Sequence, residues 1–190
     1  LPPVDWLKRL KGSGTKLLMT VGSVSMASEA VNAGFDGLIL QGSEAGGHNR
    51  STLALLSLIP ATRDVFPTLP LVAAGGIADG RGAAAAFVLG ADAVCVGTRL
   101  IASTEAMAHA QYKQEVIAAG ADDIGRTSIF GPEWPDQPMR VLRNRVVRDW
   151  EGRDDKTPTG PESQTVIGET NLFGQQYPIP KFSAVLPTTA

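Results

Sequence analysis

The sequence predicts an α/β fold built on a parallel sheet, and two observations lead to this prediction. Short apolar runs alternate with longer helix-like segments, which is typical of parallel strands covered by helices. Residues 33–42 and 89–98 also align without gaps, each with a glycine at a helix end, then an aspartate and an apolar strand. A complete TIM-type (β/α)8 barrel has eight such units in about 250 residues. The sequence therefore predicts a partial barrel that contains about the last four βα units.

The four predicted units follow one another between residues 16 and 120. Their strands and helices are 16–21 with 26–33, 37–41 with 53–65, 71–74 with 81–89, and 94–96 with 105–119. Asp79 is predicted to cap the third helix, while Asp36 and Asp92 are expected to stabilise turns into the following strands. Half of a parallel barrel leaves two unpaired sheet edges, so we expect these edges to meet a missing half, a second copy of the chain, or an aggregate.

The pattern changes after Gly120. Met139, Leu142, Val146 and Trp150 recur at helical spacing, with arginines between them, so an amphipathic helix is predicted over 139–150. Its arginines form either a solvated basic face or a contact for phosphate or an acidic partner. Residues 153–190 are rich in Pro, Thr, Gly and Gln and are predicted to form a loop-rich tail beside a barrel domain of residues 1–152.

Composition limits the function classes. The net charge of −2 and the pI near 5.7 provide no electrostatic footprint for nucleic acid or an anionic membrane, so a small-molecule partner is expected. The single cysteine, Cys95, has no disulfide partner within the chain, and no apolar run approaches the roughly 18 residues of a membrane span. These features predict a cytoplasmic protein. The chain begins at Leu1 without a signal-peptide pattern, which suggests a cut N-terminus.

Glycines follow the last two predicted strands at once. Gly75 and Gly76 come after the third strand, and Gly97 with Thr98 follows the fourth. Glycines let backbone N–H groups approach phosphate oxygens, and Thr98 adds a hydroxyl group and a helix start. One Gly-Gly pair is more often a simple turn, but two glycine turns at adjacent strand ends predict a phosphate-bearing cofactor.

A glycine-rich segment, Gln41 to His48, follows the second predicted strand and ends in one of the two histidines. A neutral imidazole in such a loop can remove a proton from a weakly acidic carbon, a role worth about 10² to 10⁴ in rate. The alternative is a solvated or structural histidine. Glu44 either orients His48 or makes a contact of its own. His109 lies in a helix-like segment and is assigned no chemistry, and no metal-ligand pattern is present in the sequence.

Three segments, Gln41 to His48, Ala73 to Gly82 and Val96 to Glu105, together resemble the nitronate monooxygenase family. The resemblance covers roughly residues 10–145 and implies the C-terminal half of an FMN-binding barrel. It implies oxidation of a nitronate or nitroalkane by O2 to a carbonyl compound and nitrite, with His48 as the catalytic base. The positions that it places at FMN or at the FMN phosphate are Gln41, Gly46, Gly47, Gly75, Gly76, Cys95, Val96, Gly97 and Thr98.

Two departures from the family pattern keep alternatives open. Some members carry a flavin-contacting lysine where this chain has Thr20, and the N-terminal half of the barrel is absent from the sequence. The chain is therefore expected to be a fragment or a reduced relative, completed by a missing half-barrel or by a homo-oligomer. The bacterial FMN-dependent enoyl-acyl-carrier-protein reductase is similar in all three segments. A truncated, non-catalytic FMN-binding half-barrel is the remaining alternative.

Overall fold

A computed structural model describes residues 1–131, 134–153, 156–158, 160–172 and 175–183. The chain forms two compact units, of which the first comprises residues 1–45 and 51–96 and the second comprises residues 46–50 and 97–190. The bounds of these two compact units differ from the predicted domain ranges, 1–152 and 153–190. Those ranges describe the expected extent of a barrel, and they stay a prediction.

The strands are β1 (Leu18–Val21), β2 (Gly37–Gln41), β3 (Gly47–His48), β4 (Leu71–Ala74), β5 (Ala93–Cys95), β6 (Ile124–Thr127), β7 (Met139–Leu142), β8 (Val166–Leu172) and β9 (Gln175–Pro180). The helices are α1 (Val4–Gly12), α2 (Val24–Asn32), α3 (Leu55–Val65), α4 (Gly80–Val88), α5 (Thr98–Ile101), α6 (Ala110–Ala118) and α7 (Arg145–Trp150). Short 3₁₀ turns cover Ala121–Asp123 and Pro161–Gln164. None of the helices in these described parts combines the length and apolarity needed to cross a bilayer.

The first unit confirms the predicted α/β fold with a parallel sheet. Its four strands pair in the order β1-β2-β4-β5, and every pair is parallel. Leu38, Leu40, Leu71 and Ala73 of the two central strands are completely buried, together with Leu58 of α3. These four residues alternate with half-buried ones along each strand, so one face of the central strands is completely buried and the other is partly exposed.

Two helices of the first unit begin at residues whose side chains cap the helix. Asp79 accepts hydrogen bonds from the backbone N–H groups of Arg81 at 2.9 Å and Gly82 at 3.3 Å, which confirms its predicted role as the N-cap of α4. Ser23 likewise caps α2 through the N–H of Met26 at 3.2 Å. A side-chain acceptor at this position satisfies N–H groups that have no partner within the helix.

The two aligned segments of the sequence use their aspartates in the same way. Asp36, before β2, accepts the N–H of Leu17 at 2.9 Å, and Asp92, before β5, accepts the N–H of Leu71 at 2.8 Å. Each carboxylate thus ties the entry of one strand to the start of the strand beside it. The backbone N–H of Leu71, and then the Arg63 guanidinium, lower the pKa of Asp92. The internal repeat is therefore structural at both aspartates, as predicted.

The second unit departs from the predicted helix over 139–150. Met139–Leu142 forms β7, which pairs antiparallel with β6 and with β3, and only Arg145–Trp150 is helical. The prediction was wrong for the first half of this segment because its apolar residues also alternate, with Met139 buried and Val141 packed on the same core. Asn144 then starts α7 by accepting the N–H of Val147 at 3.0 Å.

Two further elements differ from the expectation. β8 and β9 form an antiparallel ribbon within the segment predicted to be loop-rich, although its residues from 184 onward lie outside the described chain. The ribbon escaped prediction because most of its described side chains are exposed, so that no alternation of apolar residues marks it. The helix predicted over 105–119 is shorter, because His109 caps its start by accepting the N–H of Gln111 at 3.2 Å.

Asp92→Ala is expected to lower the free energy of unfolding by about 1–2 kcal/mol, because the N–H of Leu71 loses a charged acceptor. The carboxyl has a lowered pKa in the folded protein, so its contribution is present above the usual value of about 3.9 and disappears as the pH falls through the lowered value. Urea denaturation at pH 7 and at pH 2 measures the effect. The control is Asp64→Ala, an exposed aspartate on α3, for which we expect little change. An equal loss for both variants, or a loss that is independent of pH, would contradict the assignment.

Candidate active site

The first unit brings three of its strand ends to one edge of the sheet. In the parallel register, Gln41 pairs with Ala74, and Ala74 pairs with Cys95. The residues that follow these strands therefore leave the sheet side by side. Gln41 and Val96 are half-buried, whereas Cys95 is exposed. This edge is the place where parallel α/β proteins build their ligand sites.

Gly75 and Gly76 directly follow β4 in left-handed conformations, with φ of 118° and 67°. A side chain at Gly75 would place its Cβ 2.9 Å from the backbone nitrogen of Ala45, and one at Gly76 would lie 3.1 Å from Cβ of Glu44. The turn therefore needs glycines for its own packing against residues 44 and 45. Gly76 is also exposed, so a ligand can approach the backbone of this turn without an intervening side chain.

Glu44 makes a contact of its own, which is one of the two predicted roles. Its carboxylate oxygens accept the N–H of Leu55 at 3.0 and 3.1 Å, at the first residue of α3. Gly42 allows this approach, since a Cβ at that position would lie 2.5 Å from the Glu44 carboxylate and from Leu55. Glu44 is therefore a helix cap, which the spacing of Gln41 to His48 does not reveal.

The second unit holds the other glycines of the candidate set. A Cβ at Gly46 would lie 2.7 Å from the hydroxyl oxygen of Thr98, so the absence of a side chain lets these two residues meet. Among the described residues, no atom outside the neighbouring chain lies within 4 Å of the position that a Cβ would take at Gly97 or Gly47. Thr98 begins α5, but that helix has only four residues, so the expected contribution of its dipole is small.

His48 lies in a short strand rather than in a loop. Gly47 pairs with Arg140 and His48 pairs with Met139, in antiparallel register. The next residue, Asn49, is buried and donates its N–H to the carbonyl of Pro138 at 2.8 Å. The expectation of a loop at His48 was therefore wrong, because β7 supplies a pairing partner more than 90 residues later in the sequence. The side chain of His48 itself is exposed.

Trp134 is the residue that sequence reasoning missed. Its ring meets the imidazole of His48 edge to face, with centroids 5.6 Å apart and planes at 84°. Trp134 is fixed at its backbone by a hydrogen bond from its N–H to the carbonyl of Gly131 at 2.7 Å. The only sequence feature that marks Trp134 is its position in a loop that contains Pro and Gly. The contact with His48 could not be predicted, because the two residues are far apart in the sequence. Such an aromatic contact restricts the orientation of the imidazole ring.

The charged groups near the strand ends are engaged in structural contacts. The side chain of Arg81 and then the backbone N–H of Gly82 lower the pKa of Asp79, so a carboxylate already occupies the start of α4. Within the described residues, no three His, Cys, Asp or Glu side chains are grouped so that they could hold a metal ion.

Comparison with known proteins supplies the remaining evidence. The family model described as "Nitronate monooxygenase" matches residues 1–169. Nitronate monooxygenase npaC of Metarhizium robertsii is 40% identical over 163 residues, which are 77% of this chain and 46% of that protein. The chain thus spans about half the length of the curated relatives it matches.

Two solved structures resemble the chain. The nitroalkane oxidase from Streptomyces ansochromogenes is 33% identical, with a TM-score of 0.71 over 78% of this chain and 44% of that protein. FabK from Thermotoga maritima is 39% identical, with a TM-score of 0.69 over 77% of this chain and 45% of that protein.

Gly75→Ala is expected to destabilise the protein by about 2 kcal/mol or more, since it adds both a strained φ and a clash with Ala45. The matched control is Gly97→Ala, where the added methyl group meets open space at φ −105°, and we expect a change within about 0.5 kcal/mol. Urea denaturation monitored by circular dichroism measures both variants. If Gly75→Ala were as stable as the wild type, the packing reason given for this glycine would be wrong.

Proposed function

The chain belongs to the nitronate monooxygenase family, and from this premise we propose that the protein oxidises alkyl nitronates with O2 to a carbonyl compound and nitrite. The observation that supports this proposal most is the placement of His48, whose backbone is paired with β7 and whose ring contacts Trp134. A fixed imidazole is what proton removal from a substrate carbon requires. Neutral nitroalkanes are included as substrates, because loss of one carbon-bound proton converts them to nitronates.

FMN is the proposed cofactor, and the glycine turn after β4 fits its phosphate. The consecutive positive φ angles at Gly75 and Gly76 present backbone N–H groups without an intervening side chain. In the first unit, the residues proposed to contact FMN are Gln41, Gly75, Gly76, Cys95 and Val96. When bound, FMN would supply the redox chemistry by accepting electrons from the substrate and passing them to O2.

In the second unit, Gly46, Gly47, Gly97 and Thr98 are proposed as further FMN contacts, by the same resemblance. The open space beside Gly47 and Gly97 supports this assignment, because a backbone without side chains admits a ligand. Thr98 contributes a hydroxyl group that can donate to a phosphate oxygen. The carboxylates at Glu44 and Asp79 take no part, since both serve as helix caps.

His48 is proposed to act as the base. Its imidazole would accept the proton from the carbon next to the nitro group, leaving the electron pair on the resulting nitronate. Trp134 would hold the plane of the ring while the proton moves. Pairing with Met139 and the hydrogen bond from Asn49 to Pro138 hold the backbone at His48 and directly after it, so the imidazole requires little reorganisation before it acts.

The four parallel strands are proposed to be the last four of a (β/α)8 barrel. Their order in the sheet follows their order in the chain, as it does in such barrels. β1 and β5 are the end strands of this sheet among the described residues, with Leu18 of β1 50% exposed and Ala93 of β5 exposed. Apolar side chains at unpaired edges are expected where further strands and helices complete a fold.

His48→Asn tests the base directly. On nitroethane we expect the rate of nitrite formation to fall by about 10² to 10⁴, because the carbon-bound proton has no acceptor. On ethylnitronate, which has already lost this proton, we expect a much smaller fall. The assay uses the FMN-loaded protein in the longest form that its gene encodes, with oxygen uptake measured in parallel.

His109→Asn is the matched control, because asparagine preserves the N-cap at the start of α6. Equal loss on both substrates would contradict the role as base. Absence of nitrite together with NADH-dependent enoyl reduction would favour the enoyl-acyl-carrier-protein reductase. FMN binding without either reaction would favour a non-catalytic half-barrel.

A further inference from the structure

The second unit contains a pocket of about 400 Å³ along β6, which we call the arginine pocket. Its walls are β6, the residue Arg143 after β7, and the C-terminal end of α7 with the residues that follow it. None of its lining residues belongs to the set proposed for FMN. We propose that the arginine pocket binds an organic phosphate monoester.

The charge of the lining favours a dianion. Arg126, Arg143 and Arg153 line the pocket with a single carboxylate among the described lining residues, that of Glu151. Arg143 donates to Oε1 of Glu151 from both Nε, at 3.0 Å, and Nη2. The described lining therefore holds three guanidinium groups and one carboxylate, although the whole chain carries a net charge of −2. Guanidinium groups bind phosphate through paired N–H donors, which makes arginine the preferred residue for this anion.

The strand register places a second arginine beside Arg126. Arg126 of β6 lies directly opposite Arg140 of β7, so two guanidinium groups are placed on the same face of the sheet. Like charges in this position are unfavourable. Arg126 is held there by donating to the carbonyl of Asn49 at 2.8 Å. The Asn49 carbonyl offsets part of this repulsion at Arg126, while Arg140 lies outside the described lining of the arginine pocket.

The remaining walls are preformed. The guanidinium of Arg153 lies over the ring of Trp150, 4.7 Å from its centroid. Trp150 in turn meets Phe182 edge to face at 5.1 Å, and Phe182 is completely buried. Because Trp150 is anchored in the core, it holds Arg153 in place. The ring covers one face of the guanidinium group, whereas the N–H groups of Arg153 point outward within the guanidinium plane.

The size and shape of the pocket indicate an organic ester rather than inorganic phosphate. A volume of about 400 Å³ is far larger than a bare phosphate ion and lies in the range of small-molecule sites. Gly125 leaves the surface of β6 without a side chain, and the stem of Arg143 passes 3.2 Å from the position of a Cβ there. Val147 and Trp150 provide the apolar wall on which the organic part of the ligand can rest.

Isothermal titration with phenyl phosphate at low ionic strength tests this site on the complete chain. We expect saturable binding that Arg153→Gln and Arg126→Gln each weaken about tenfold, since each removes one charged donor. Glu151→Gln is expected to tighten binding severalfold, because it removes the competing carboxylate. The matched control is Arg145→Gln, an exposed arginine of α7 outside the lining, for which the affinity should change less than about twofold.

Circular dichroism establishes that each variant is folded before titration. Absence of binding to the wild type at millimolar phenyl phosphate would overturn the proposal. Equal weakening by Arg145→Gln and Arg153→Gln would also overturn it, since the effect would then come from net charge alone. Because the assay needs no FMN and no turnover, its result is independent of the proposed oxidation of nitronates.

Discussion

Parallel pairing of β1, β2, β4 and β5 in chain order is the constraint on which the first unit depends. Parallel strands need a crossover between each pair, and these crossovers are the helices that cover the sheet. The same pairing brings the carboxyl ends of the strands to one edge, where Gln41, Ala74 and Cys95 lie in register. The aspartates at positions 36 and 92 secure the opposite edge, through backbone N–H groups of Leu17 and Leu71. Glycine turns can then follow the strands without disturbing the apolar layer.

The sequence was most informative where local chemistry alone decides the structure. Apolar runs marked the four parallel strands, and Asp79 marked a helix start, because each signal acts within a few residues of itself. The segment 139–144 was misassigned because its apolar spacing suits a helix and a strand equally. Pairing with the preceding strand, β6, and with β3, which lies far earlier in the sequence, decides in favour of the strand. The ribbon of β8 and β9 could not be predicted from alternation, since few of its described side chains are buried.

The residues of the candidate site also divide into those that local sequence features reveal and those that depend on contacts between distant parts of the chain. Gly75, Gly76 and His48 could be selected from sequence, because a glycine turn or a histidine after a strand is a local feature. Trp134 and Asn49 could not, since their roles depend on contacts across the antiparallel sheet of the second unit. From the sequence, Glu44 could either orient His48 or make a contact of its own. The hydrogen bond from the N–H of Leu55 shows that it caps α3. Several residues of the segment Gln41 to His48 thus serve packing as well as the proposed ligand.

The central proposal is that the glycine turn after β4 holds the phosphate of FMN. The most direct measurement compares FMN with riboflavin, which has the same ring system but no phosphate, by titrating the protein and following flavin fluorescence. The account predicts saturable quenching with FMN and binding of riboflavin at least about tenfold weaker, since riboflavin lacks the charged acceptor for the backbone N–H groups. Equal affinity for the two flavins, or no binding of FMN, would contradict the account.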